Sequence, residues 1–188
     1  MQIKLINTLL TVLLITLLPS LGWSTPLDEL VNRDGLYYPK FSDVPFTGKV
    51  TGKTQGYLKN GKEEGDWSYY QDNGQLHNRG TYLDGKKEGL WVGYYDNGQL
   101  FRKIEYKNGV RDGSYEMYWG NGQLESKGHY KKGLQNGVWV AYWVNGQLRF
   151  KGKRINDKKE GLWVFYDEEG APIDSGHGIF KKDVKISD

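Results

Sequence analysis

Large rings alternate with polar residues in short runs, and Asn-Gly or Asp-Gly pairs break the runs. The stretch "DWSYYQDNGQLHNRGTYLDGKKEG" (residues 66–89) carries the whole pattern. Alternation with period two predicts strands, because successive strand side chains point to opposite faces. Asn-Gly is the preferred pair for a two-residue type I′ hairpin, in which both residues take positive φ. Asn73 and Gly74 are therefore expected at a hairpin tip, and "LDGKKEG" (Leu83–Gly89) and "KNGVRDG" (Lys107–Gly113) as a second kind of turn.

The pattern recurs with a fixed step. Asn73, Asn97, Asn121 and Asn145 each open an N-G-Q-L and are 24 residues apart. Gly65, Gly89, Gly113, Gly137 and Gly161 keep the same step, as do Trp67, Trp91, Tyr115, Trp139 and Trp163. Tyr70, Tyr94, Tyr118, Tyr142 and Tyr166 form a third column. An unbroken period of this length predicts a repeat architecture. Units start at residues 65, 89, 113, 137 and 161, after a partial unit over 48–64 and a lead-in over 25–47. The last unit replaces N-G-Q-L with "EEGAPIDSGHG", the departure expected of a capping repeat. The predicted fold is all-β: an elongated antiparallel meander of 24-residue β-hairpin repeats forming an open twisted sheet of about eleven strands. Each unit then advances by roughly 10 Å.

A tip at Asn73-Gly74 sets a register. Trp67 faces Gly80, Ser68 faces Arg79, Tyr69 faces Asn78, Tyr70 faces His77 and Gln71 faces Leu76. One face then gathers Trp67, Tyr69, Leu76, Gly80 and Tyr82; next Trp91, Tyr95, Leu100, Ile104 and Tyr106; then Tyr115, Met117, Trp119, Leu124 and Tyr130; and then Trp139, Ala141, Trp143, Leu148 and Phe150. This is the expected core face. Tyr115 with Gly128 and Trp139 with Gly152 repeat the ring-over-glycine pairing. Ile104 breaks it, so Trp91 is expected to shift. The other face gathers Tyr70, Tyr94, Tyr118 and Tyr142 beside Arg79, Lys103, Lys127 and Lys151, with Val92 and Val140 opposite two of the cations. These eight residues are the candidate binding face. The competing reading is a solvated surface with lysine stems lying across tyrosine rings, since repetition alone aligns like residues.

Composition changes the picture at one end. The first 24 residues, "MQIKLINTLLTVLLITLLPSLGWS", hold one cation, Lys4, then an apolar run, Pro19 and small residues at Gly22 and Ser24. They read as a secretory signal peptide. The alternative, a membrane anchor, needs about 20 apolar residues, and this run is shorter. The expected mature chain starts near Thr25, is exported to the periplasm or beyond, and has no transmembrane span. The formal charge of +3 becomes +2 once Lys4 is lost. That excess is too mild to indicate nucleic acid. The chain has 0 Cys, which excludes a disulfide framework and a lipidated N-terminal cysteine.

The units resemble the bacterial variant form of MORN repeats. The pattern G-x-W-x-x-Y-x-x-N-G-x-L, then a basic residue, Gly, x, Tyr and a second Gly turn, is carried by Gly65, Trp67, Tyr70, Asn73, Gly74, Leu76, Arg79, Gly80, Tyr82 and Gly85. "DGLYYPK" (Asp34–Lys40) with "PFTGKV" (Pro45–Val50) looks like that family's opening segment, so the resemblance covers roughly residues 34–180. It implies a β-hairpin scaffold with no catalytic residues to carry over. Such proteins are often exported and labelled antitoxin-like, and MORN repeats elsewhere have been linked to acidic lipids.

No residue set adds up to chemistry. His77, His129 and His177 are scattered, and no metal-ligand spacing occurs. "DSGHG" (Asp174–Gly178) holds Asp, Ser and His together, but triads assemble across space from rigid elements. "GKVTGKT" (Gly48–Thr54) leaves three residues between its glycines where a P-loop needs four. Glu63, Glu64, Glu88 and Glu160 read as polar turn residues. No catalytic residue, metal or cofactor is therefore expected. The functional expectation is a non-catalytic scaffold for an unidentified protein partner, with neutralisation of a toxin as a special case. The alternative is a module for a cell-envelope glycan, an anionic polymer or an acidic surface.

Overall fold

The computed structural model describes residues 24–187. Apart from Ser24, the expected leader lies outside the described residues. One 15-stranded sheet dominates, and its strands follow chain order from 48 to 187, antiparallel throughout. Ser24–Pro26 adds a parallel edge strand against Gly48–Thr51. No α-helix occurs among the described residues; a single 3-10 turn covers Leu27–Glu29. The count exceeds eleven for three reasons. The lead-in supplies an edge strand, a break at Asn136 splits one strand, and the decayed last unit still forms a hairpin, Gly178–Lys181 with Val184–Ser187.

The two turns of each unit are of different kinds, and the type I′ turn is not where N-G-Q-L suggests. At the tip, Gly74 N–H donates to Gln71 O at 3.0 Å and Gln71 N–H donates to Gln75 O at 2.9 Å. Gly74 has φ +82°, while Asn73 is not among the residues of positive φ. This is a three-residue loop, a type I turn closed by a left-handed glycine. The extra loop residue pushes His77 out as a bulge, so Tyr70 pairs with Leu76 rather than with His77. The type I′ turns occur at the other end of the hairpins: Asn60-Gly61, Asp84-Gly85 and Asn108-Gly109 all have both residues at positive φ. There Leu83 pairs with Lys86 across a two-residue loop.

The pairs Trp67 with Gly80, Ser68 with Arg79 and Tyr69 with Asn78 stand as the sequence predicts. The bulge corrects the leucines. Leu76, Leu100, Leu124 and Leu148 pair with Tyr70, Tyr94, Tyr118 and Tyr142, so they share the tyrosine face and not the tryptophan face. Tyr95, Trp119 and Trp143 lie outside the two buried clusters. They stand at the tips, where their side chains donate to Tyr118 O (2.6 Å), Tyr142 O (3.3 Å) and Tyr166 O (2.9 Å) of the next unit.

A single-layer sheet has no second sheet to cover its rings, yet Trp67, Trp91, Trp139 and Trp163 are only 1–4% exposed. Glycines explain it. A side chain on Gly56, Gly80, Gly128 or Gly152 would overlap the indole of Trp67, Trp91, Trp139 or Trp163 respectively. Each indole therefore lies on the bare backbone of the strand before it, not on its own hairpin partner. Trp91 needs no shift for the same reason: its ring rests on Gly80, and Ile104 fills the place where glycine stands in other units. The ring that would lie over residue 104 is Tyr115, smaller than the tryptophan found elsewhere in that column.

The second glycine column bends the sheet. Between Arg79 and Thr81 the partner strand runs from Val92 to Glu88, four steps against two. Gly89 takes φ +66° inside this bulge, and Gly65, Gly113, Gly137 and Gly161 also have positive φ. Bulges of this kind increase local twist and bend the strand. The rings thus collect in two clusters. One comprises Phe46, Val50, Leu58 and Trp67, under Leu27, Leu30 and Tyr37 of the lead-in. The other comprises Tyr130, Trp139, Trp163 and Phe180. The lead-in hairpin Leu30–Arg33 with Leu36–Pro39 is stitched on by Tyr37 N–H to Gly61 O and Gly61 N–H to Phe46 O, each 2.8 Å.

Candidate functional site

Alternation turns the row next to the tryptophans to the other face. Ser68 pairs with Arg79, Arg79 with Val92, and Val92 with Lys103. Lys103 pairs with Glu116, Glu116 with Lys127, and Lys127 with Val140. Val140 pairs with Lys151, and Lys151 with Val164. Eight strand spacings give a cross-sheet row about 38 Å long, measured along the sheet. Its four cations stand on every second strand, roughly 10 Å apart. Arg79, Lys127 and Lys151 are exposed and Lys103 is half-buried. Val92 and Val140, between long basic stems, are 8% and 7% exposed.

Tyr70, Tyr94, Tyr118 and Tyr142 lie two residues along from this row, on the same face and half-buried. In one unit the two columns meet. Tyr118 Oη donates to Glu116 Oε2 at 2.6 Å, and Lys103 Nζ lies 3.4 Å from that same oxygen. The ammonium is 5.6 Å from the Tyr118 ring centre. The Tyr118 hydroxyl, then Lys103, hold the Glu116 carboxyl below its ordinary range. Burial, then Glu116, pushes the Tyr118 phenol up. Among the described residues, no hydrogen bond or ring contact joins Tyr70, Tyr94 or Tyr142 to Arg79, Lys127 or Lys151.

Three features of this face escape a reading of the repeat pattern. Glu116 is the acid in a column that otherwise reads Ser68, Val92, Val140 and Val164; a column-by-column comparison exposes it. Leu90, Val138 and Leu162 follow the bulge glycines and are 48%, 54% and 63% exposed. Alternation from the neighbouring tryptophans already sends them outward. Val138, Leu162 and Val164 line a shallow apolar depression with the stems of Lys151 and Lys153. The third feature is at the hairpin ends. Glu64, Glu88 and Glu160, which read as plain turn residues, accept the N–H of Asp84 (2.9 Å), Asn108 (2.8 Å) and Lys182 (3.1 Å). Each carboxylate thereby fixes the first residue of the following type I′ turn.

The asparagine column does the same at the tips. Asn97, Asn121 and Asn145 accept from the N–H two residues on, each at 3.0 Å. Their amides donate across to Gly120 O (3.2 Å), Val144 O (3.1 Å) and Glu168 O (2.7 Å). Both long edges of the sheet are thus tied unit to unit.

Two of the three histidines have local partners. His177 Nδ1 lies 2.8 Å from Ile173 O, with its ring edge-on to Tyr166. His77 Nδ1 lies 3.5 Å from Gln71 Nε2. Among the described residues, no cluster of three or more His, Asp or Glu could hold a metal ion. No helix among them is long and apolar enough to cross a membrane.

Residues 63–84, 87–108 and 111–132 match the model of the MORN repeat variant family. These are three consecutive repeats with the 24-residue step. The unit from residue 137 keeps the pattern as far as Gly152, and the one from residue 161 keeps only Gly161, Trp163, Tyr166, Gly170 and Gly176; both lie outside the matched segments. No curated protein matches the chain. One similar solved structure is the crystal structure of a GtfA/B complex bound to UDP and GlcNAc, at 15% identity and a TM-score of 0.25. The match covers 82% of this chain and 29% of that one.

Proposed function

We propose that this chain, with three repeats of the MORN repeat variant family as its core, is a non-catalytic exported scaffold that binds another protein across its open face. An antitoxin-like or immunity role is the special case. The observation that carries the reading is the cross-sheet row of Arg79, Lys103, Lys127 and Lys151, flanked by exposed Leu90, Val138 and Leu162. Apolar patches rimmed by polar groups mark contact surfaces, and regular charge spacing gives register to a partner. The mature chain acts in the periplasm or outside the cell.

The test uses the native envelope fraction as bait. The chain and its Arg79→Glu/Lys103→Glu/Lys127→Glu variant are immobilised in parallel, and retained proteins are identified by mass spectrometry. A protein held at near-stoichiometric yield by the first and lost by the second supports the reading. Equal retention by both removes it. Retention of purified peptidoglycan that disappears in Tyr94→Ala/Lys103→Ala would instead favour the glycan-binding alternative.

A further inference from the structure

The tryptophan face carries cations of its own, and three of them meet at one place. Lys87 is paired with Tyr82, and Arg111 with Tyr106. Lys87 Nζ lies 4.1 Å above the Trp91 ring and 5.3 Å above that of Tyr106. Arg111 reaches Tyr130 Oη at 3.3 Å, its guanidinium 5.3 Å from that ring, and its backbone pairs with that of Tyr106. The Tyr106 side chain thus stands between the two. Arg102 is the third member. It pairs with Gly93 and folds back so closely that a Cβ there would lie 3.2 Å from its Cγ and Nε. Burial first, then Arg102 and Arg111, hold the Lys87 ammonium below its ordinary range.

Repetition does not produce this cluster. The column of Lys87 reads Glu63, Lys87, Arg111, Gln135, Lys159, and that of Arg102 reads Asn78, Arg102, Ser126, Phe150. Gly93 stands where other units place Tyr69, Met117, Ala141 and Phe165. Only one unit therefore opens the face with a glycine and lays an arginine in the gap, between the two aromatic clusters. None of the three cations has an ion pair among the described residues. The nearby carboxylates of Glu88, Glu105 and Asp112 lie on the opposite face, where they accept from Asn108, Ser114 and Lys132 N–H. Among the described residues, two carboxylates share this face, Glu63 beside Tyr82 and Glu125 beside Tyr115, and neither forms an ion pair with the three cations. Like charges gathered without an ion pair repel one another, and a bound anion relieves that cost.

We propose that Lys87, Arg102 and Arg111 form a docking site for an acidic protein segment on the tryptophan face, separate from the tyrosine–lysine face. The three residues lie on consecutive strands: Lys87 and Arg111 are roughly 10 Å apart across the sheet, and Arg102 stands four residues, roughly 13 Å, along the middle strand from Tyr106. Carboxylates at i and i+2 of an extended segment are about 7 Å apart, so two of them bridge the cluster where one compact anion cannot. Guanidinium forks take carboxylates two-pronged, and the ammonium supplies a third contact. The site stands whether or not the opposite face binds a partner.

The test is calorimetric titration of the chain with hexaglutamate, repeated with inorganic phosphate and with anionic phosphatidylglycerol vesicles, while the Trp91 indole signal is followed by NMR. Saturable binding of hexaglutamate should move the Trp91 signal, since the anion draws Lys87 from its ring, and should weaken with added salt. Lys87→Gln and Arg102→Gln should each weaken binding by about tenfold or more. Lys87→Arg should retain it, and Lys103→Gln on the other face should change it by less than about twofold. The proposal is overturned by any of three results: no saturable binding, equal weakening in Lys103→Gln, or tighter binding of phosphate or vesicles at the same site.

Discussion

The indole of Trp91 lies over Gly80, on the strand before its own. This one-strand offset is what lets a single-layer sheet bury its rings, and it predicts a coupling between columns. Gly152→Ala pushes a methyl into the Trp163 indole and should cost about 1–3 kcal/mol in urea unfolding. Ile104→Gly should also destabilise, by roughly 2 kcal/mol or more, because a buried side chain is lost. Adding Tyr115→Trp to Ile104→Gly should restore at least about 1 kcal/mol of that loss, since the pair then matches the other units. Strictly additive effects would show that residue 115 does not cover residue 104.

The asparagines differ from unit to unit. Asn121 bonds Gln123 N–H within its loop and Val144 O across units. Asn73 keeps the loop bond to Gln75 N–H, but its amide turns to Gln75 Oε1 rather than to the next unit. Asn121→Ala should therefore cost about 1–2 kcal/mol and Asn73→Ala about half as much, measured by chemical denaturation.

Two carboxyls should respond to acid in opposite senses. Glu116 is held below its usual value of 4.5, chiefly by the Tyr118 hydroxyl. Its contribution is present above the unfolded value and fades as pH falls through the lower folded value. Glu63 is raised above 4.5 by burial. The folded chain holds that proton more tightly, so its ionisation works against the fold as pH rises through 4.5 and beyond. Glu63→Gln should raise the unfolding midpoint at pH 7, and Glu116→Gln should lower it. Both differences should shrink near pH 3.

The tyrosines of the ring face set an alkaline limit. Burial first raises Tyr37, Tyr69, Tyr82 and Tyr115 above their usual 10.0. A raised phenol favours the fold below the unfolded value and loses that advantage as pH climbs past 10. The unfolding midpoint should fall steeply above about pH 10, and Tyr69→Phe should soften the fall.

The fold was largely legible because a 24-residue step leaves little freedom: alternation from Trp67 fixes which residues face which way until the tip. The tip is where sequence reasoning failed. "DNGQL" serves a type I′ turn at Asn73-Gly74 as well as a type I turn followed by a left-handed Gly74, and the choice between them moves Leu76 to the other face. The preference of Asn-Gly for type I′ is real, and Asn60-Gly61 and Asn108-Gly109 follow it. At Asn73 the side-chain bond to Gln75 N–H competes and wins. The cations over the rings were hidden for another reason. The Lys87 and Arg111 column also holds Glu63 and Gln135, and the Arg102 column holds Asn78, Ser126 and Phe150, so neither reads as a uniform basic column.

The central claim is that the tryptophan column and the Arg79, Lys103, Lys127 and Lys151 column occupy opposite faces of one sheet, in step with the repeat. A nuclear Overhauser spectrum of the folded chain tests it directly. Cross-peaks from the Gly80, Gly128 and Gly152 α-protons to the indoles of Trp91, Trp139 and Trp163 should appear, with those α-protons shifted upfield by the rings. Cross-peaks from the side chains of Arg79, Lys127 or Lys151 to any of these indoles would contradict the account.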